Sequence, residues 1–449
     1  MPDTTTAAAS DDPFAPLEAA VAEARTQPNQ TALIHTLIHL GQAYLDSGNT
    51  PKALTQFEEG LTLAQTVADE LLEARLWGYK GICLMRLGNT HFAQIALYKS
   101  QNMAKALNHT PLMIDALTQL GTLQLEIGQG AKAISRLEQA FGLALAAGEQ
   151  LRAMNLAGKV GGLFSNLGSL EKAMEYYLSA RQLAQELGQP QAECAYLLNI
   201  GHLFLANGEP DGAREQFEAA LNLAVELNNR PAEMSALTSL MQSYMGEDKL
   251  SMVMLYGEQV LRLTRELGDQ VKEISNINLL GSYLVEKGQA RRALPHLQRG
   301  LEIAEATEDW PWQMAMLNQL GYAHYTLGEL DAALAAYEVA LKRARQLQDK
   351  AATGQIVGRL SAVLADKGQG AEAIAAAQQA LSLGQELGDA RLVGEQQLML
   401  AFAYNDLGDT AQALTYGRQA IETYRELGEA ALVVEAEKAV QSWEVGSGE

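Results

Sequence analysis

The chain has 449 residues, 54 of them acidic and 33 basic, for a net charge of −21, and 48% of it is hydrophobic. That apolar content excludes a wholly disordered chain, and so negative a field repels a nucleic-acid duplex and an anionic membrane surface, leaving neither as an expected partner. Two cysteines, Cys83 and Cys194, with no CxxC pair, give no disulfide framework or structural zinc site and fit a reducing compartment.

The first residues, MPDTTTAAASDD, lack the basic start and apolar stretch of a signal peptide, and no run of about eighteen apolar residues follows. A soluble, cytoplasmic protein is the expectation, with residues 1–12 as a disordered tail. A first helix follows, within 13–29. Phe14 to about Arg25 places Leu17, Ala20 and Val21 in the register that later second helices fill with Leu137, Ala140 and Phe141.

From residue 30 to 429 the chain repeats itself every forty residues. A glycine column runs Gly41, Gly81, Gly121, Gly161, Gly201, Gly281 and Gly321, with Met241, Ser361 and Ala401 as its departures. Seven residues later a second runs from Gly48 to Gly408, broken only by Asp248, and an alanine column from Ala53 to Ala413 is broken only by Val253. Such self-similarity signals stacked supersecondary units. Each unit carries two helical patterns. In the third, Leu117, Leu120 and Leu123 form one apolar stripe and Ala133, Ile134, Leu137, Ala140, Phe141 and Ala144 another, separated by Gly128 as a helix-ending residue. No sustained period-two alternation marks a strand. Residues 430–444 take the place of a further first helix, and 445–449 form a tail. The expected fold is therefore all-α: an α-solenoid superhelix of ten helix-turn-helix repeats between half-repeat caps, twenty-two helices in all.

Leu40-Gly41, Tyr44, Gly48, Ala53 and Phe57 resemble the tetratricopeptide repeat, as do Ile200-Gly201 with Phe204 and Phe217, and Leu320-Gly321 with Tyr337. The usual repeat of that family has 34 residues, and the forty-residue form is similar to repeats of kinesin light chains, spindle-orientation adaptors and maltose-regulator-like proteins. The resemblance covers about residues 14–444. It implies that first helices line a concave groove; in repeat 8 the groove positions would be Ala315, Asn318, Tyr322, Tyr325 and Thr326. At the matching positions of all ten repeats only Arg75 and Arg86 are basic, against seven acidic residues, and no repeat pair supplies the lysine–asparagine–arginine clamp by which some members hold a terminal carboxylate.

No catalytic constellation emerges, so an enzyme is not expected, and neither is a cofactor. His35 and His39 have a chelating i, i+4 spacing but no third ligand, and Gly158-Lys159-Val-Gly161-Gly162 lacks the order of a phosphate loop. Three departures from the repeat remain. Trp310-Pro311-Trp312 replaces a polar connector, and an exposed tryptophan pair would make a binding hot spot. Repeat 6 breaks all three small-residue columns and is rich in methionine, which predicts a weak joint. Gly78, Gly158 and Gly162 leave the groove bare early in the chain. Asn278, Ser282, Asn318, Tyr322, Tyr325, Phe402 and Asn405 furnish it later with groups able to hold an extended peptide.

The function expected is a non-catalytic scaffold that binds a peptide or helix of a partner protein; the alternative is a small-molecule-sensing solenoid of the maltose-regulator-like kind. The register itself is testable. Gly121→Leu overpacks the contact between the two helices of repeat 3 and lowers stability by about 1–3 kcal/mol. A melting temperature equal to the parent's would show that Gly121 does not sit at a helix contact.

Overall fold

A computed structural model describes residues 13–446. They form α1 (Ala15–Thr26), α2 (Gln30–Asp46), α3 (Thr50–Thr66), α4 (Glu70–Arg86), α5 (Thr90–Ala106), α6 (Thr110–Glu126) and α7 (Gly130–Ala146). Then come α8 (Gln150–Asn166), α9 (Leu170–Glu186), α10 (Pro190–Ala206), α11 (Pro210–Glu226), α12 (Arg230–Gly246), α13 (Leu250–Leu267), α14 (Gln270–Glu286) and α15 (Ala290–Ala306). The last seven are α16 (Trp310–Thr326), α17 (Leu330–Gln346), α18 (Lys350–Asp366), α19 (Gly370–Leu387), α20 (Ala390–Asp406), α21 (Thr410–Leu427) and α22 (Ala430–Gly446). No strand occurs among the described residues. The tail expected over 1–12 lies outside them, as do residues 447–449 of the tail expected over 445–449, and α22 continues two residues past the expected 444. No helix among the described residues is long and apolar enough to cross a membrane.

The chain divides into two compact bodies, with the boundary between Ala236 and Leu237. In each body a first helix pairs with the second helix of its own repeat, and that second helix with the next first helix. First helices also touch one another: α2 with α4 and α4 with α6 in the first body, α14 with α16, α16 with α18 and α18 with α20 in the second. Within each body, then, the even-numbered helices crowd together as the inner side of a curved stack does.

The turns follow from local chemistry. Gly128 adopts φ +74°, a conformation that costs a residue with a Cβ. Its N–H donates to Leu125 O (3.0 Å) and the N–H of Gln129 to Gln124 O (2.7 Å), which satisfies carbonyls left free at the helix end. After the second helix of several repeats an acceptor opens the next helix; Asp309, for example, takes the N–H of Trp312 on Oδ1 (3.1 Å). Six turns use a residue other than glycine in this left-handed conformation: Ala68, Asn108, Asn228, Asp248, Glu308 and Gln348.

The glycine column is a column of holes. A Cβ built on Gly41 would stand 2.5 Å from Phe57 Cε1; on Gly121, 2.8 Å from Leu137 Cγ; on Gly201, 2.4 Å from Phe217 Cε1; on Gly321, 2.7 Å from Tyr337 Cδ1. In these four repeats the side chain sixteen residues on, from the second helix, fills the space that the first helix leaves. Phe57, Phe217, Leu137 and Tyr337 are almost wholly buried as a result. The glycine cluster at 158–162 has the same explanation: Gly161 receives the Tyr177 ring and Gly158 the Tyr196 hydroxyl.

Repeat 6 matches its extra bulk with a hole on the partner helix. Met241 occupies the glycine position, but the position sixteen residues on is Gly257, and a Cβ there would meet Met241 Sδ at 3.2 Å and Leu280 Cδ2 at 3.0 Å. Knob and hole have exchanged helices, so the methionine adds no excess bulk; Met241 and Val253 are both fully buried. Repeat 10 solves the same problem differently. Ala401 faces Gly417, and Val440 of α22 enters, 2.6 Å from where a Gly417 Cβ would lie, with Trp443 beside it.

Two outcomes follow. Met241→Gly leaves two glycines facing each other and costs about 2–5 kcal/mol, whereas the double exchange Met241→Gly with Gly257→Leu restores most of the loss; denaturant titration of the three proteins measures both. Gln348→Gly relieves a side chain held at φ +56° and raises stability by about 0.5–1 kcal/mol, read as a higher melting temperature by calorimetry.

Candidate functional site

The inner side of the second body holds a cleft of about 650 Å³ whose lining includes Glu286 of α14, Tyr322 of α16, Gln355 and Arg359 of α18, and Arg391 and Met399 of α20. Its floor is made by small residues. Gly358 leaves room for Gln396, whose Nε2 would lie 2.6 Å from a Cβ at that position. Gln396 is buried with its Oε1 3.3 Å from Ser361 Oγ, whose proton is shared with Gly358 O at 2.7 Å. Ser361, a departure from the glycine column, thus anchors a side chain at the bottom of the cleft.

Arg359 is the organising residue. Its Nη1 donates to Asn318 Oδ1 at 3.3 Å, and its guanidinium lies 4.8 Å from the centroid of the Tyr322 ring. The ring face holds the flat cation in place. No carboxylate pairs with Arg359 within 4.0 Å among the described residues. Arg391, by contrast, is neutralised by Glu395 at 3.3 Å and Glu429 at 3.8 Å. In a chain with 54 acidic residues against 33 basic ones, an unpaired guanidinium on the inner surface is a marked feature.

The residues singled out from the sequence divide accordingly. Asn318 and Tyr322 meet at Arg359. Tyr325, one turn along α16, hydrogen-bonds Asp366; its pKa is pushed up to about 12, mostly by burial and then by that carboxylate. Asn278 and Ser282 lie half-buried on α14, and Ser282 Oγ donates to Leu279 O (3.1 Å). Phe402 turns its edge to Trp443 of α22, with centroids 5.3 Å apart, and Asn405 lies half-buried one turn beyond it. The two tryptophans part company: Trp312 packs half-buried against the core, while Trp310 stays exposed beneath the Arg343 guanidinium, 5.1 Å from its ring centroid.

Reading five positions per first helix left out Arg359 and Arg391, so the inner surface is richer in basic groups than that reading gave. Arg359 sits one residue beyond a groove position, at a point where other repeats carry Tyr79, Gln119 and Lys159, and a long side chain reaches the cleft from there. The residue types at that column were the available signal. His35 and His39 are exposed, and among the described residues no group of three or more His, Cys, Asp or Glu could hold a metal ion. Both cysteines are free and buried, and burial pushes the Cys83 thiol up to about 12.

Comparison with known proteins places this architecture. Three family models described as tetratricopeptide repeat match residues 34–59, 271–346 and 396–427. No curated protein matches the sequence. Among solved structures the chain is similar to the Signal Transduction ATPase with Numerous Domains protein with a tetratricopeptide repeat sensor from Pyrococcus horikoshii. That likeness has 16% identity over 66% of this chain and 44% of that one, at a TM-score of 0.55. It is also similar to the apo form of RapI, at 14% identity over 74% of this chain and 97% of that one, with a TM-score of 0.53. At such identities the likeness is one of fold.

Proposed function

We propose that this chain, a tetratricopeptide-repeat protein, is a non-catalytic scaffold whose second body holds an extended segment of a partner protein between α14 and α20. The observation that carries this reading is the unpaired Arg359, held flat between Asn318 and Tyr322 on the inner surface. A guanidinium has five N–H donors in a fixed plane; Asn318 takes one and another faces the Tyr337 hydroxyl. The others are available to main-chain carbonyls, which an extended segment presents in rows. Gln355 supplies an exposed amide beside it, Met399 an adaptable apolar surface, and Glu286 and Glu395 carboxylates for basic side chains of the partner. A field of −21 favours such a basic or neutral segment over a polyanion. Trp310, exposed at the start of α16, offers a further contact for a longer segment.

Photo-crosslinking tests the reading. A benzoylphenylalanine at Gln355 should capture a discrete partner from a lysate of the source cells, and one at Glu338, on the second helix of repeat 8, should not. Arg359→Glu and Tyr322→Ser should each reduce capture by about tenfold or more, the loss expected for one or two charge-assisted hydrogen bonds. Equal capture at both positions, or capture indifferent to Arg359, overturns the assignment of the cleft.

A further inference from the structure

A second cavity lies in the first body, between α4 and α6 with α5 behind them, and has a volume of about 290 Å³. We propose that it is a binding site for a free α-amino acid with a short polar side chain, independent of the cleft in the second body.

The floor is built around Ser100. At the matching position the other repeats carry Gly60, Ala140, Ala180, Ala220, Val260, Gly300, Ala340, Ala380 and Ala420, so a hydroxyl here is exceptional. Ser100 is 1% exposed, and its Oγ has no hydrogen-bond partner. Leaving a buried hydroxyl unsatisfied is costly. The space beside it is open because residue 78 is glycine: a Cβ there would stand 3.3 Å from Ser100 Oγ. A hydroxyl aimed at a gap that a single methyl would cover is fitted for a ligand atom.

The mouth carries two arginines, Arg75 and Arg152, and one carboxylate, Asp115. Arg75 of α4 has no ion pair or hydrogen bond among the described residues. Asp115 of α6 faces it, held by Arg152 at 3.3 Å; Arg152 is itself tied to Glu149 (3.1 Å) and to Pro111 O (3.0 Å). Burial raises the pKa of Asp115 in spite of both Arg152 and Arg75, so a ligand ammonium in direct contact with it is favourable. Tyr79 accepts a hydrogen bond from Gln42 Nε2 at 2.6 Å, leaving its own proton to donate. An unpaired guanidinium and a phenol suit a carboxylate, and the carboxylate across from them suits an ammonium. Leu97 and Leu112 then enclose the first atoms of a side chain whose polar end reaches Ser100. The volume stands at the lower end of the ~300–1,000 Å³ of small-molecule sites, which suits a ligand of that size.

Calorimetric titration of the full chain with an equimolar pool of the twenty amino acids, then with each alone, tests this. Saturable heat is expected from one or a few with hydroxyl or amide side chains, and none from the matching α-carboxamides. Affinity should fall about tenfold or more in Arg75→Gln and Asp115→Asn, and also fall in Gly78→Ala, where the methyl covers the hydroxyl. Ser100→Ala removes an unsatisfied polar atom and should fold at least as well as the parent while binding more weakly. No heat from the pool, or undiminished binding by Arg75→Gln and Ser100→Ala, overturns the proposal. Arg359→Glu should bind the amino acid as the parent does, so failure here and failure of the partner cleft are told apart.

Discussion

A side chain from the second helix of a repeat seated in a hole on the first, sixteen residues earlier, is the contact on which the rest depends. A glycine at 41, 121, 201 or 321 brings the two backbones close, and Phe57, Leu137, Phe217 or Tyr337 then makes contacts that a void would forfeit. Because each of these side chains is also buried, the fit fixes both the separation and the rotation of the helix pair. Neighbouring pairs then stack with little freedom. Where a first helix carries bulk instead, as at Met241, its partner gives way, as at Gly257. What the repeats have in common is the filled volume, not which helix supplies it.

That fixed geometry makes the inner surface usable. Side chains that project from rigid first helices hold their spacing, so Asn318 and Tyr322 on α16 can orient Arg359 on α18 without a loop intervening. The two bodies use the inner side differently. In the first, Gly78 opens a smaller space with a polar floor; in the second, amides, rings and guanidinium groups line a larger cleft. One scaffold thus presents chemically unlike surfaces by changing single residues on its inner face.

The fold was legible because the forty-residue columns record burial directly: a position facing a neighbouring helix must stay small, and one ending a helix must tolerate the left-handed conformation. The helical pattern of residues 430–444 was legible for the same reason, and Val440 and Trp443 of α22 are buried beside Gly417. What escaped was correlation between columns. Met241 read alone is a defect, and only beside Gly257 is it a matched exchange. The site was less legible still. A column assignment treats a residue by where its Cα lies, and Arg359 acts several ångströms away at the end of a long side chain. Trp310 and Trp312, two residues apart in one helical turn, point to different surroundings, which a spacing of two on a helix requires.

The left-handed residue at 48, 88, 128, 168 and 208 sits at the same step of every repeat in the first body, and the residues that flank it there close the same backbone bonds each time. Excising the chain from just after Gly128 through Gly168 would therefore rejoin it across an equivalent turn, with the same hole on one side and an equivalent filler on the other. A chain of this kind can lengthen or shorten by whole repeats, because every junction is structurally equivalent to the next. The inner surface can then be extended, or one pocket copied and altered, without inventing a new junction.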